Sequence, residues 1–129
     1  NFTNETTNKG LYNVEKLKIS NNKFLNCNGQ ILNMLRGGND ESTMGPWVIF
    51  SKNVLTNCNS GEDEALIHLL GTQRSVFEKN VFTNCNTGNI TVQYEDLVYA
   101  VHRSEKNVFI KSGNIKPNKF VISKKNVVR

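Results

Sequence analysis

The sequence predicts an all-β protein that folds as a right-handed parallel β-helix (solenoid), with about four to five coils and three short strands in each coil. The first observation behind this prediction is a motif, Asn-x-apolar-x-Asn-Cys-Asn, that begins at Asn22, Asn53 and Asn80 and returns in degraded form at Asn107. Its cysteines stand at positions 27, 58 and 85, so the spacings are 31 and 27 residues, a length typical of stacked-repeat proteins. The second observation is an alternation of apolar and polar residues, which indicates half-buried strands. Ankyrin and tetratricopeptide repeats of similar length need two amphipathic helices per unit, which the β-branched and Asn-rich content disfavours.

Each repeat contains three apolar segments separated by turns. In the first coil, Leu17 and Ile19 precede an Asn21-Asn22 break, and the motif follows. A turn with glycine comes after each cysteine, and another apolar strand follows it, over residues 31–35, 65–70 and 90–94. We therefore expect a single domain over residues 1–129, with a polar leading segment at 1–10, coils over 11–113 and a terminal coil over 114–129.

The residues that recur at one register are expected to form ladders inside the β-helix. Asparagine tolerates the left-handed conformation that a sharp corner needs, and stacked amides can bond one another from coil to coil. Structural ladders are therefore favoured over a functional role for the recurring side chains. The predicted ladders are an asparagine corner (Asn22, Asn53, Asn80, Asn107), an inward apolar stack (Phe24, Leu55, Phe82, Phe109) and a row of thiols (Cys27, Cys58, Cys85).

Composition limits the classes of function. The net charge is +5, with sixteen basic and eleven acidic residues, and the part after Val101 holds more positive charge than the whole chain nets. Such a surface suits an anionic partner, although lysines on outward strand faces are ordinary in any β-protein. Nucleic acid is not expected, because the basic tail has no interleaved aromatic residues and no matching motif. Apolar runs of about four residues are too short for a membrane span. Three cysteines exclude a complete disulfide framework, and the absence of a Cys-x-x-Cys pattern disfavours zinc.

One stretch interrupts the repeat. The first interval is longer than the others, and the extra residues fall in the polar loop 36–46. A loop that projects from a rigid scaffold is a common place for function, although its acids and hydroxyls can equally satisfy a turn. Asp40 and Glu41 could offer oxygens to Ca²⁺, but two adjacent carboxylates are fewer than such a site requires. We therefore predict no metal site within this chain.

The run Leu35-Arg36-Gly37-Gly38-Asn39-Asp40-Glu41-Ser42-Thr43-Met44-Gly45-Pro46 follows a coil of the form Asn-x-Phe-x-Asn-Cys. Together they resemble the carboxy-terminal β-helix of two-domain alginate lyases of polysaccharide lyase family six, which also includes chondroitinase B. Residues 93–97 are a weaker second match, and the likeness spans roughly residues 11–113. The family cleaves uronate linkages by β-elimination with a Lys and Arg pair, and with Ca²⁺ held by Asn and Glu. No segment here matches that catalytic motif, so no catalytic residue is carried over.

The resemblance implies a non-catalytic segment of a secreted lyase, extracellular or periplasmic and bacterial, that acts on acidic polysaccharide such as alginate (poly-mannuronate). Cofactors are not expected in this segment, whereas Ca²⁺ belongs to the parent enzyme. Candidate contacts to a uronate are Arg36, His68, Arg74, Tyr94 and Arg103, because Arg takes a carboxylate with two parallel hydrogen bonds and Tyr can stack on a sugar ring. The alternative is a free-standing carbohydrate-binding or adhesin-like solenoid.

The first coil lacks a visible capping helix between residues 11 and 17. The ends of a solenoid expose unpaired strand edges. We therefore expect the first coil to pack against an amino-terminal β-helix domain or a second copy of the chain, and the chain to be a fragment or carboxy-terminal domain of a larger protein.

Overall fold

The computed structural model describes residues 2–4, 16–34, 47–95 and 101–129. Within these ranges all of the regular structure is β-strand, and no helix is present. The strands are β1 (Phe2–Asn4), β2 (Lys16–Ser20), β3 (Lys23–Leu25), β4 (Leu32–Met34), β5 (Trp47–Ser51), β6 (Val54–Thr56), β7 (Ile67–Leu70), β8 (Arg74–Glu78), β9 (Val81–Thr83), β10 (Ile90–Glu95), β11 (Val101–Glu105), β12 (Val108–Ile110), β13 (Asn114–Lys116), β14 (Val121–Lys124) and β15 (Val127–Val128).

The strands form three parallel sheets that the chain visits in turn. The first sheet has the order β1-β4-β7-β10-β13, the second β2-β5-β8-β11-β14 and the third β3-β6-β9-β12-β15. The predicted parallel β-helix with three strands per coil is thereby confirmed. Three coils, beginning at β4, β7 and β10, have a neighbour on both sides, which is slightly fewer turns than the four to five predicted. The first sheet also begins earlier than expected, because Phe2–Asn4 within the leading segment pairs with β4.

Two pairs of stacked aromatic rings lie in the core between the sheets, among aliphatic side chains. Phe82 and Phe109 stack with centroids 4.8 Å apart and planes 2° apart, and Phe50 and Phe77 stack at 4.8 Å and 13°. The first pair belongs to the predicted inward stack, because Phe24, Leu55, Phe82 and Phe109 occupy equivalent positions in β3, β6, β9 and β12. All but Phe24 are buried. The in-register pairing of parallel strands places like side chains directly above one another, so the repeat in sequence becomes a column in the core.

The predicted asparagine ladder occupies the corner between the second and third sheets. Asn80 is typical: its Nδ2 donates to Oδ1 of Asn107 (2.9 Å) and to the carbonyl of Phe50 (2.9 Å). Its Oδ1 accepts from the backbone N of Asn53 (2.9 Å) and from Nδ2 of Asn53 (3.2 Å). Asn126 continues the ladder, donating to the carbonyl of Ser104 and accepting from Asn107.

The left-handed residue at this corner is not the ladder asparagine, contrary to the prediction. Positive φ angles belong to the residue immediately before it in each coil: Asn21, Lys52, Lys79, Lys106 and Lys125. The reason is that the ladder side chains must point inward to bond their neighbours, which leaves the preceding residue to make the turn. A second corner, between the third sheet and the following turn, uses Asn26, Asn57, Asn84 and Lys111 in the same conformation.

The three cysteines are free thiols that line the core as predicted, with the first of them only half-buried. The Sγ of Cys58 lies 3.4 Å from the carbonyl oxygens of both Phe24 and Thr56, and that of Cys85 lies 3.5 Å from the carbonyl oxygen of Leu55 and 3.4 Å from that of Thr83. The thiol hydrogen of each of these two cysteines therefore has one acceptor in the preceding coil and one in its own coil. Burial raises the pKa of the Cys85 thiol, and burial together with the neighbouring Cys58 raises the pKa of Cys27. The neutral thiol is the favoured form at both positions.

Candidate functional site

The outer face of the second sheet carries a basic and aromatic surface. Alternation along β5 turns Val48 and Phe50 into the core, so Trp47 and Ile49 face outward. The same alternation in β8 and β11 exposes Arg74 and Arg103. Register then places these side chains in two rows across the coils: Lys16, Trp47, Arg74 and Val101 in one, and Lys18, Ile49, Val76 and Arg103 in the other.

Trp47 is the centre of this surface. Its ring is 42% exposed, with Nζ of Lys16 at 5.2 Å and Cζ of Arg74 at 5.3 Å from the ring centroid. The indole Nε1 donates to Oε1 of Gln73 at 2.8 Å, which fixes the plane of the ring. Both cations lie within the range of cation–π attraction, so the two neighbouring coils hold positive charge against the aromatic ring.

A groove of about 360 Å³ runs over these rows. We call it the Trp47 groove, and its lining residues are Lys16, Leu17, Lys18, Trp47, Val48, Ile49, Arg74, Ser75, Val76, Val101 and Arg103. Four of the eleven are cationic and none is acidic. Apolar side chains and backbone form the floor, so the groove combines a positive field with a flat, partly apolar surface. Such a surface can take a carboxylate by charge-assisted hydrogen bonds while a sugar ring lies on the indole.

Four of the five predicted contact residues lie in the described part of the chain, and the structure brings two of these four together. Arg74 and Arg103 both line the Trp47 groove. Arg36, together with Asp40 and Glu41, lies outside the described residues. Tyr94 cannot stack on a sugar, because it points into the core with 3% exposure and packs against Phe77 and His102.

His68 lies on a different surface, the outer face of the first sheet. Its Nδ1 is 3.1 Å from Oδ1 of Asn33, and its Nε2 is 2.8 Å from Oε2 of Glu95. Among the described residues, the Glu95 contact is the one contact within 4 Å between a basic and an acidic side chain. Because the two flanking coils hold both ring nitrogens, His68 is a cross-coil tie and does not extend the Trp47 groove.

Sequence reasoning missed Trp47, Lys16 and Lys18. The available signal was the phase of the alternation in β5, where a buried Val48 requires an exposed Trp47. Alignment of the repeats therefore predicts an exposed Trp47 that lies beside Arg74, the residue at the same register of the next coil.

A serine and a histidine also meet directly beneath the groove. Ser75 Oγ lies 2.7 Å from Nδ1 of His102, in β8 and β11 respectively. Both residues are at most 1% exposed. The pair therefore ties two coils together inside the core and is closed to a substrate.

No group of three or more His, Cys, Asp or Glu side chains suited to a metal ion occurs in the described part of the chain. Over the same residues, no helix is long and apolar enough to cross a bilayer. Comparison with protein-family models, curated proteins and solved structures finds no match to this chain.

Proposed function

We propose that this β-helix binds a uronate-containing acidic polysaccharide in the Trp47 groove, as a non-catalytic segment of a polysaccharide lyase. The observation that carries the proposal is the exposed Trp47 ring between Lys16 and Arg74 on adjacent coils. Polyuronates present a carboxylate on each sugar and an apolar ring face. The groove offers both complements at once, a cation and an aromatic plane.

The two rows of the groove favour a linear polymer over a single sugar. Arg103 lies one coil beyond Arg74 and in the neighbouring row, so the cations are spread over four coils at about 4.8 Å per coil. A chain lying across the coils would meet Lys16, Arg74 and Arg103 in turn. Affinity is therefore expected to rise with oligomer length.

The lyase assignment rests on the resemblance carried by residues 35–46 and the Asn-Cys coils. Among the described residues, the lining of the Trp47 groove contains cations but no carboxylate that could hold Ca²⁺. This composition supports a binding role for the segment, with β-elimination performed by an amino-terminal β-helix domain of the parent chain. That domain, or a second copy, would cover the strand edges of the first coil, and the setting would be extracellular or periplasmic in a bacterium.

The test is calorimetric titration of the protein with poly-mannuronate oligomers at low ionic strength. Trp47→Ala should weaken binding about tenfold, which corresponds to the loss of one stacked ring. Arg74→Gln should weaken it by roughly ten- to a hundredfold, because a charge-assisted hydrogen bond is lost. Lys119→Gln, which removes one charge outside the groove, serves as the control. Equal affinity for all four proteins would refute the groove as the binding site.

The same groove would serve a free-standing carbohydrate-binding solenoid, which is the second candidate because all eleven described lining residues belong to this chain. Ultraviolet absorbance of unsaturated uronate products separates enzyme from binding module. We expect the parent lyase to generate the products and these 129 residues to bind without cleavage. Rapid depolymerisation by the 129-residue chain would contradict the non-catalytic assignment.

A further inference from the structure

Lysine recurs at one corner position in four successive coils. Lys52, Lys79, Lys106 and Lys125 each follow a strand of the second sheet, and all four are exposed. We call them the lysine column. Backbone hydrogen bonds hold them in line: the N of Lys52 donates to the carbonyl of Glu78, that of Lys79 to Glu105 and that of Lys106 to Lys124, each at 3.0 Å. The four backbone positions are therefore stacked at the coil spacing of about 4.8 Å.

The backbone conformation at these positions does not require lysine. All four residues have φ between 54° and 56°, the left-handed region that asparagine and glycine prefer. The second corner meets the same requirement with asparagine in three coils, Asn26, Asn57 and Asn84, and with lysine only at Lys111. There the amides form a ladder, with Nδ2 of Asn57 donating to Oδ1 of Asn26 at 3.2 Å and Nδ2 of Asn84 to Oδ1 of Asn57 at 3.3 Å.

Lysine lacks two advantages of asparagine at such a corner, which are the preference for the left-handed conformation and an amide that can bond the next coil. The lysine column also places four like charges in a row, which repel one another. In the described part of the chain, no carboxylate lies within 4 Å of any of the four ammonium groups. Local features that work against stability mark functional positions more often than structural ones. Glu78 and Glu105 precede two of the lysines, but the four ammonium groups form no ion pair with a described carboxylate and are therefore available to an anionic partner.

We propose that the lysine column is a second anion-binding site, which takes a linear acidic polysaccharide along the axis of the solenoid. It lies at the carboxyl ends of the second-sheet strands, whereas the Trp47 groove lies at their amino ends. Lysine binds as a point charge on a flexible stem, so the column is expected to select a ligand by the spacing of its negative charges and not by the stereochemistry of its sugars. The site goes beyond the proposed function and does not depend on the groove.

The neighbours of the column favour a polysaccharide over nucleic acid. The lysines are preceded in sequence by Ser51, Glu78, Glu105 and Lys124, and each lysine is followed by a ladder asparagine. Binding of single-stranded nucleic acid relies on aromatic side chains on which bases stack. The lysine column has none adjacent to it in sequence.

The test compares two triple variants with equal loss of charge. K52Q/K79Q/K106Q removes three column lysines, and K23Q/K116Q/K119Q removes three exposed lysines elsewhere. Both are made in the Trp47→Ala background, so that failure of the groove and failure of the column are distinguishable. Binding of poly-mannuronate and dextran sulfate is measured over a series of salt concentrations.

We expect the column variant to bind at least about tenfold more weakly, and its slope of log affinity against log salt to be shallower by roughly two to three, because each contact releases about one counterion. The control variant should change by less than about threefold. Equal losses in both triple variants would overturn the proposal. Tighter binding of single-stranded DNA than of either polysaccharide would overturn the assignment of the ligand.

A single substitution provides a second, independent readout. Lys79→Asn supplies the residue that left-handed corners prefer and relieves repulsion within the column. We expect its melting temperature to rise by a few degrees while affinity for dextran sulfate falls. A lower melting temperature would show that the lysine supports the fold, and the proposal would then be wrong.

Discussion

Removal of one ladder asparagine tests how the coils are held together. Asn80→Ala deletes four hydrogen bonds: two donated by Nδ2, to Phe50 and Asn107, and two accepted by Oδ1, both from Asn53. The backbone N of Asn53 then has no acceptor, and the carbonyl of Phe50 loses a donor. Both residues have 0% exposure, so water cannot replace the missing partners.

The structure sets the size of the effect. Each buried polar group left without a partner costs about 1–3 kcal/mol, so two such groups predict a loss of about 2–6 kcal/mol in the free energy of unfolding. A single domain has only about 5–15 kcal/mol in total. Asn22→Ala is the matched control. It removes the ladder member at the exposed end, where water can replace the amide, and should cost under about 1 kcal/mol.

The assay is urea unfolding of the two variants and the parent protein, followed by circular dichroism. We expect a lower midpoint for Asn80→Ala with an unchanged slope, which marks a change in stability alone. Equal midpoints for Asn80→Ala and Asn22→Ala would refute the reasoning, because burial would then make no difference to the stability that a ladder asparagine contributes.

Four further outcomes follow from the core and its turns. Phe82→Ala should lower the free energy of unfolding by about 3–5 kcal/mol, since it empties a fully buried position in the ring stack; calorimetric melting measures this. Gly113→Ala should prevent stable folding, because a Cβ there would overlap the carbonyl oxygen of Asn89; soluble yield and circular dichroism report it. Alkylation by iodoacetamide under native conditions should reach Cys27 before Cys85, because Cys27 is only half-buried; mass spectrometry of timed samples gives the order. Burial raises the pKa of the Cys85 thiol in the folded protein, so the neutral thiol favours folding below its ordinary pKa, and this contribution is lost as the pH rises through the raised pKa. Cys85→Ala should therefore flatten the alkaline side of a plot of stability against pH.

The repeat made the scaffold predictable. A parallel β-helix converts residues one coil apart into neighbours, so recurrence of Asn, Phe and Cys at a fixed spacing was enough to assign ladders. The predicted ladder did not include Asn126, although the Ser-Lys-Lys before it echoes the Ser-Lys before Asn53. The error about the corner has a physical origin: asparagine prefers the left-handed conformation as a single residue, but here the inward hydrogen bonds of its side chain outweigh that preference.

The candidate site was only partly predictable, because the exposure of a side chain in a β-strand depends on which of the two alternating faces it occupies. Arg74 and Arg103 were selected for their chemistry, and their shared surface followed from register. Tyr94 was selected on the same ground and proved wrong, because its strand turns that position inward. Chemistry alone identifies candidate groups, and alternation decides which of them meet solvent.

The most direct test of binding in the groove uses the intrinsic fluorescence of Trp47, which is the single tryptophan of the sequence. Titration with poly-mannuronate oligomers should give a saturable change in its emission that weakens as salt is added and is absent with neutral dextran. No change in emission at saturating poly-mannuronate, or the same change with neutral dextran, would contradict a groove built to bind acidic polysaccharide.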